Sequence, residues 1–323
     1  MGTLNLASAG VVAAALLAGI GIGAVAQSVD DSAARVAIPS IGCGAAVVEP
    51  GTHRGLPVVV DSVEQRFSMR VPESYDGTTP VPLWLQFHGG GLSASSALPK
   101  VTNTADDHGF VAVAPEGFFG GPLGQSGWGW RPDDTEIDLT SANPDIAFMH
   151  ALIDHAAETL CIDLARVYAA GFSNGGGAAT VASCALDDRI AAVASVAGLV
   201  FDFGDACGQV RPVPYLAVHG KTDRQLHFDG GSIIDHPIKD RYISAPIPDR
   251  VAAIAARNGC ESEPTVEAVT EDAERSTWSC PADADVQLIA IDGWQGGHTW
   301  QAMGEIDASE LIWAFFDRHA LPE

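Results

Sequence analysis

The sequence predicts an α/β fold, a mostly parallel central sheet flanked by helices, and two observations predict it. Short apolar runs that end in glycine-rich turns alternate with helical patterns, with no internal repeat or low-complexity linker between them. The 323 residues are 47% hydrophobic and 18% charged, enough apolar material for one large core.

The elements follow in order. Residues 58–60 and 66–71 are expected as opening strands. Residues 83–87 run into His88-Gly89-Gly90-Gly91, and 110–114 run into Pro115-Glu116-Gly117. A helix is expected to start at Asn143 as cap, with Pro144 in its first turn and Ile146, Met149, Ile153, Ala157 and Leu160 along one face. Residues 166–170 then lead into Gly171, 190–196 into Ala197-Gly198, 215–218 into His219-Gly220, and 286–291 into Asp292-Gly293. After Ser173 a helical stretch holds Gly175, Gly176 and Gly177. Each glycine costs a helix roughly 1 kcal/mol relative to alanine, so the stretch implies close packing that admits only small residues.

Chemistry concentrates at these turns. Gly171-Phe172-Ser173-Asn174-Gly175 has the pattern G-x-S-x-G between an apolar strand and a helix start, the context of a nucleophile elbow. A serine there projects its hydroxyl from a sharp turn, and a helix N-terminus favours developing negative charge. By itself the motif also reads as a structural βα turn. Two more residues change the weighing. Asp223 follows the strand at 215–218, and His298, in Gly296-Gly297-His298-Thr299-Trp300, follows the strand at 286–291. Serine, acid and histidine, in that order after successive strands, make an acyl-transfer relay. Ser173, Asp223 and His298 are therefore the expected catalytic residues. Negative charge built on a carbonyl oxygen needs backbone N–H groups already aimed at it. Asn174, following the serine, is one expected donor, and Gly89 or Gly90 in the His88-Gly-Gly-Gly91 loop is the other. His88 is expected to hold that loop rather than to react.

Composition excludes other classes. Seventeen basic against 41 acidic residues give a formal charge of -24, which repels nucleic-acid phosphates and anionic lipid headgroups. Neither C-x-x-C nor H-E-x-x-H occurs, so no metal site is expected, and the relay calls for no cofactor. Residues 1–29 carry no charged side chain, and the apolar run 11–20 precedes Ala24-Val25-Ala26. This reads as a signal peptide over 1–26, a flexible leader over 27–40 and a single catalytic domain over 41–323. The uncharged stretch is also long enough to span a bilayer as a retained anchor, while its cleavage motif favours export with removal and no membrane contact afterwards. Six cysteines behind an export signal suggest three disulfides. Fifteen pairings are open; proximity in sequence favours Cys184 with Cys207 and Cys260 with Cys280, leaving Cys43 for Cys161.

At this point the sequence resembles the secreted esterases that include feruloyl esterases and polyhydroxybutyrate depolymerase-type enzymes of the α/β-hydrolase superfamily. The matching stretches include Pro80–Gly90, Asn143–Phe148, Leu160–Gly176, Pro212–Asp223 and Gly296–Trp300, within a resemblance that covers roughly residues 41–320. The starts at Gly42-Cys43-Gly44 and Leu160-Cys161-Ile162-Asp163 lean towards the feruloyl side. The resemblance implies an ester substrate, foremost a phenolic ester linked to plant cell-wall polysaccharide, with polyester or acetylated xylan as alternatives, and a secreted enzyme. It also implies a tryptophan at the site. Trp128 and Trp130 are candidates for contact with an aromatic acyl group, although hydrophobic packing explains them equally well. Trp300 is a third candidate. Gln301 stands where the family usually has proline after the G-H-x-W motif. A non-catalytic binding protein on the same scaffold would be expected to have lost part of the serine–acid–histidine set, and all three are present.

Overall fold

Strands β1 (Gly51–Val60) and β2 (Val63–Val71) form an antiparallel hairpin closed by Asp61 and Ser62, both at positive φ, which matches the twist of the paired strands. The structure is a computed structural model and describes residues 36–45, 47–117, 138–198, 207–208, 210–232, 243–293, 297–300 and 306–322. The expected signal peptide therefore lies outside the described residues.

After the hairpin come β3 (Val81–Phe87), the short helix α1 (Ala94–Ala97), α2 (Thr102–His108) and β4 (Val111–Pro115). Helix α3 (Pro144–Thr159) precedes β5 (Ile162–Phe172), and α4 (Asn174–Ala185) precedes β6 (Ala192–Val196) and β7 (Tyr215–Gly220). The two-residue strands β8 (Gly231–Ser232) and β9 (Ile243–Ser244) pair beside α5 (Ile247–Arg257) in sequence. The hairpin β10 (Thr265–Thr270) and β11 (Ala273–Trp278), then β12 (Val286–Ile291) and α6 (Ala308–Phe316), complete the order.

Among the described residues the main sheet runs β1-β2-β4-β3-β5-β6-β7-β12-β11-β10. Its centre, from β4 to β12, is parallel, and an antiparallel hairpin extends each edge. The sheet is thus parallel at its centre and antiparallel at its edges, with Phe67, Met69 and Val71 of β2 still in the core.

Residues alternate between two buried faces. Leu83, Leu85, Phe87, Val167 and Ala169 pack with Ile146, Met149 and Ile153 of α3, Val181 of α4 and Val251 and Ile254 of α5. Trp84, Tyr168, Ala170, Leu216 and Val218 pack on the other side with Ile312, Trp313 and Phe316 of α6. An aromatic cluster fills that second side: Trp84 lies 4.9 Å from Phe316 and 5.2 Å from Phe110, and Tyr168 lies 4.7 Å from Phe316, between ring centroids. Helix α3 starts as expected, with the Asn143 side chain accepting from the Asp145 N–H at 3.0 Å and Pro144 at the first position.

Disulfides join Cys43 to Cys161, Cys184 to Cys207 and Cys260 to Cys280. The first fastens the entry of the chain to the start of β5. Around it the Ile38 N–H donates to Asp163 Oδ1 at 2.8 Å, and Ser40 Oγ donates to the Leu160 carbonyl at 2.6 Å and accepts from the Ile162 N–H at 3.0 Å. Residues 38 and 40, at the end of the expected leader over 27–40, are thus hydrogen-bonded into the fold, while 27–35 lie outside the described residues. Val36-Ala37-Ile38-Pro39-Ser40 is too short and too broken by Pro39 to announce an element, and its main partners, Leu160, Ile162 and Asp163, are distant in sequence. No helix among the described residues is long and apolar enough to cross a membrane.

Candidate active site

Because the central strands are parallel, β3, β5, β7 and β12 end on one edge of the sheet, where ligands of open α/β sheets bind. Phe87 pairs with Gly171, Val196 with Val218, and Ile291 with Gly220. The turns after these strands therefore meet, although they are far apart in sequence.

Ser173 stands between β5 and α4 at φ 55° and ψ -121°, a conformation that non-glycine residues rarely adopt. Its N–H donates to the Val196 carbonyl at 3.0 Å, and its own carbonyl accepts from the Gly176 N–H at 2.9 Å. The glycines make this turn possible. A Cβ at Gly175 would sit 2.5 Å from the Phe87 carbonyl oxygen, and one at Gly176 would sit 2.7 Å from the Cα of Gly198. The helix cost noted above is thus accepted so that α4 can start directly against β3 and β6.

His298 Nε2 lies 2.9 Å from Ser173 Oγ, and His298 Nδ1 lies 2.9 Å from Asp223 Oδ2. Since a carboxylate only accepts, Nδ1 carries the hydrogen and Nε2 faces the serine hydroxyl as acceptor. Asp223 Oδ1 accepts from the N–H groups of Gln225 at 2.7 Å and Leu226 at 2.9 Å. Burial pushes the Asp223 carboxyl up, but hydrogen bonds from His219, His298 and Leu226 and the charge of His298 outweigh it. The carboxyl is held well below the usual aspartate range. Such a relay can draw a proton from the serine hydroxyl and return it to a leaving group.

The loop after β3 approaches the same point. A Cβ at Gly90 would come within 3.8 Å of the Asn174 Cβ, so Gly90 faces the first residue of α4. Gly89 lies against Phe172 and Leu92. His88 fixes the loop: its Nε2 accepts from the Gly117 N–H at 2.8 Å, so its Nδ1 carries the hydrogen and donates to the Gly89 carbonyl at 2.8 Å. Burial lowers the pKa of His88, in keeping with a neutral, structural ring.

Two of the three tryptophan candidates, Trp128 and Trp130, lie outside the described residues. Trp300 departs from the expected substrate contact. It is 3% exposed and packs in the aromatic side of the core, its indole N–H donating to Ser309 Oγ at 2.9 Å. Ser309 Oγ donates in turn to the Lys100 carbonyl at 2.7 Å. The residue therefore anchors the His298 loop to α6, because a large apolar ring two positions after a surface turn finds the core. Sequence reasoning passed over two neighbours. The Phe172 ring lies 5.0 Å from the His298 ring, and the Lys100 ammonium lies 5.4 Å from the Phe172 centroid, where burial lowers its pKa. Phe172 adjoins Ser173 in the motif, whereas nothing local in the sequence pointed to Lys100.

No protein-family model matches the chain. Feruloyl esterase B of Piromyces equi is 29% identical over 263 residues, 79% of this chain and 45% of that protein, so the chain spans about half the length of that relative. Feruloyl esterase C of Emericella nidulans is 26% identical over 276 residues, 80% of this chain and 88% of that one. The chain has the α/β-hydrolase fold and is similar in sequence to the feruloyl esterases. The solved acetyl xylan esterase from Aspergillus awamori superposes on this chain with a TM-score of 0.56 at 15% identity, covering 83% of this chain and 99% of that one, a likeness of fold.

Proposed function

We propose that this chain is an exported esterase that releases ferulate-type acyl groups from plant cell-wall polysaccharide, with Ser173 as nucleophile. The observation that carries the mechanism is the pair of 2.9 Å contacts linking Ser173, His298 and Asp223. The names of the feruloyl esterase relatives support the substrate class. The three disulfides and the apolar N-terminal segment support an oxidising, extracellular compartment.

In the acylation step the Ser173 hydroxyl proton passes to His298 Nε2 as Oγ bonds to the ester carbonyl carbon. The carbonyl oxygen takes the negative charge and receives the N–H groups of Asn174 and of Gly89 or Gly90. The bond to the alcohol oxygen then breaks, that oxygen takes the proton from His298, and an acyl-enzyme remains. Water gives a proton to His298 as its oxygen attacks the acyl carbon, and the bond to Oγ then breaks with Oγ taking that proton back, releasing the acid and restoring Ser173 and neutral His298. Asp223 keeps the His298 ring oriented and stabilises its cationic form.

Ser173→Ala is expected to abolish ester turnover while far-UV circular dichroism and melting temperature stay near wild type. Full turnover in that variant sinks the nucleophile assignment. The substrate reading is tested by supplying methyl ferulate, acetylated xylan and polyhydroxybutyrate film to the purified protein. Release of ferulate supports it, whereas cleared film or freed acetate with methyl ferulate intact replaces it with a polyester or acetyl ester reading.

A further inference from the structure

The mechanism above leaves one histidine at the site unused. His219 is the next-to-last residue of β7, just before the turn that holds Asp223, and is 1% exposed. Its Nε2 lies 2.8 Å from the Leu226 carbonyl oxygen and 3.4 Å from Asp223 Oδ2, the oxygen that also meets His298. A carbonyl oxygen only accepts, so Nε2 of His219 carries a hydrogen, and that N–H lies between the carbonyl and the carboxylate. The turn is thereby closed from both ends. Leu226 gives its N–H to Asp223 Oδ1 and takes the His219 N–H on its carbonyl, while the same ring borders Asp223 Oδ2. The Phe228 ring, 6.2 Å away between centroids, covers the His219 ring and helps fix its plane.

We infer that His219 is a positioning residue for the reaction: its Nε2–H holds the Asp223 carboxylate in the orientation that aims His298 at Ser173. A buried carboxylate rotates freely about its last bond unless donors surround both oxygens. Here Oδ1 has two backbone donors, whereas Oδ2 has the ring that gains and loses a proton through the reaction and the ring that does not. His219 is the fixed partner on the working oxygen. The inference rests on the proposed roles of Ser173, Asp223 and His298.

Two amide replacements separate this role from a merely structural one. His219→Gln places an N–H near the position of Nε2, whereas His219→Asn is one methylene shorter and cannot reach both acceptors. Steady-state kinetics on a soluble aryl ester, active-site counting with a phosphonate inhibitor and melting temperature are measured for both. The Asn variant is expected to lose roughly tenfold in kcat with KM unchanged, the effect of losing one hydrogen bond to a charged group. The Gln variant is expected to stay within about threefold of wild type. Wild-type kcat in the Asn variant, or an equal fall in both, overturns the inference. A lowered melting temperature with normal kcat per counted site, or loss of the fold in both variants, marks His219 as a folding residue and overturns it as well. Ser173→Ala runs alongside: if that variant retains turnover, the mechanism fails rather than the role of His219.

Discussion

Gly297→Ala probes how closely the His298 loop must approach the Asp223 turn. Gly297 has φ 68°, and a Cβ there would lie 2.7 Å from the carbonyl carbon of Thr222 and nearer still to the N and Cα of Asp223. Ordinary contact begins at 3.4 Å, and every one of these neighbours is backbone, so no side chain can swing aside. The loop must retreat by about 1 Å, and a displacement of that size costs on the order of 100-fold in rate, about 2.7 kcal/mol of barrier. His298 is the next residue, and its 2.9 Å contact with Asp223 opens by the same movement. Gly293→Ala is the matched control, because φ there is 66° with nothing within 4 Å of the added Cβ. Both variants carry the backbone cost of a left-handed alanine, roughly 1–2 kcal/mol of stability, but only Gly297→Ala strikes the turn. The assay is kcat per titrated active site on a soluble aryl ester, with urea unfolding for stability. If Gly297→Ala keeps kcat within a few-fold of Gly293→Ala, the packing of this loop does not set the relay.

Other perturbations act on single terms. Asp223→Asn is expected to cut kcat by about 10⁴-fold, since an amide no longer fixes the His298 tautomer; a loss under tenfold in single-turnover rates contradicts the relay. The folded carboxyl of Asp223 is depressed, so its stabilising contribution is present above the unfolded aspartate value and lost as pH falls through the folded one. Tyr215 runs the other way. Burial pushes its phenol up to about 12, against the pull of its bond to Thr180. The Tyr215 contribution is therefore full below pH about 10 and falls by about 1.4 kcal/mol per unit as pH rises from there towards 12. Tyr215→Phe should flatten that slope in urea titrations, and identical slopes would refute the assignment. Removing the Cys43–Cys161 disulfide, which spans 118 residues, is expected to cost about 5 kcal/mol by loop entropy, against about 3 kcal/mol for Cys184–Cys207, which spans 23. Equal losses in calorimetry would remove that ranking.

Much of this architecture is legible in the sequence because its signals are local. The apolar runs that became β3, β4, β5, β7 and β12 are buried on both faces and stand out as continuous stretches. The Asn143-Pro144 start of α3 is written in two adjacent residues, and the Gly171–Gly175 turn is written in five. The order of Ser173, Asp223 and His298 follows from chain direction alone. The β10–β11 hairpin is different. Its residues are mostly exposed or half-buried and mix charge with β-branched side chains, so no apolar run announces it, and it exists because β12 offers an open edge. The last residues before Ile41 bond mainly to partners more than 100 positions away.

The serine that opens α4 shows where the division falls. Sequence alone determined that a G-x-S-x-G turn sits between a strand and a helix, with an acid and a histidine to follow. Tertiary structure decided that β5, β7 and β12 end on the same edge of the sheet, so that residues 125 and 75 positions away come within 2.9 Å of His298. It also moved Trp300 into the core and set His219 against Asp223, since only the packed fold determines which ring is buried and which acceptor its N–H meets.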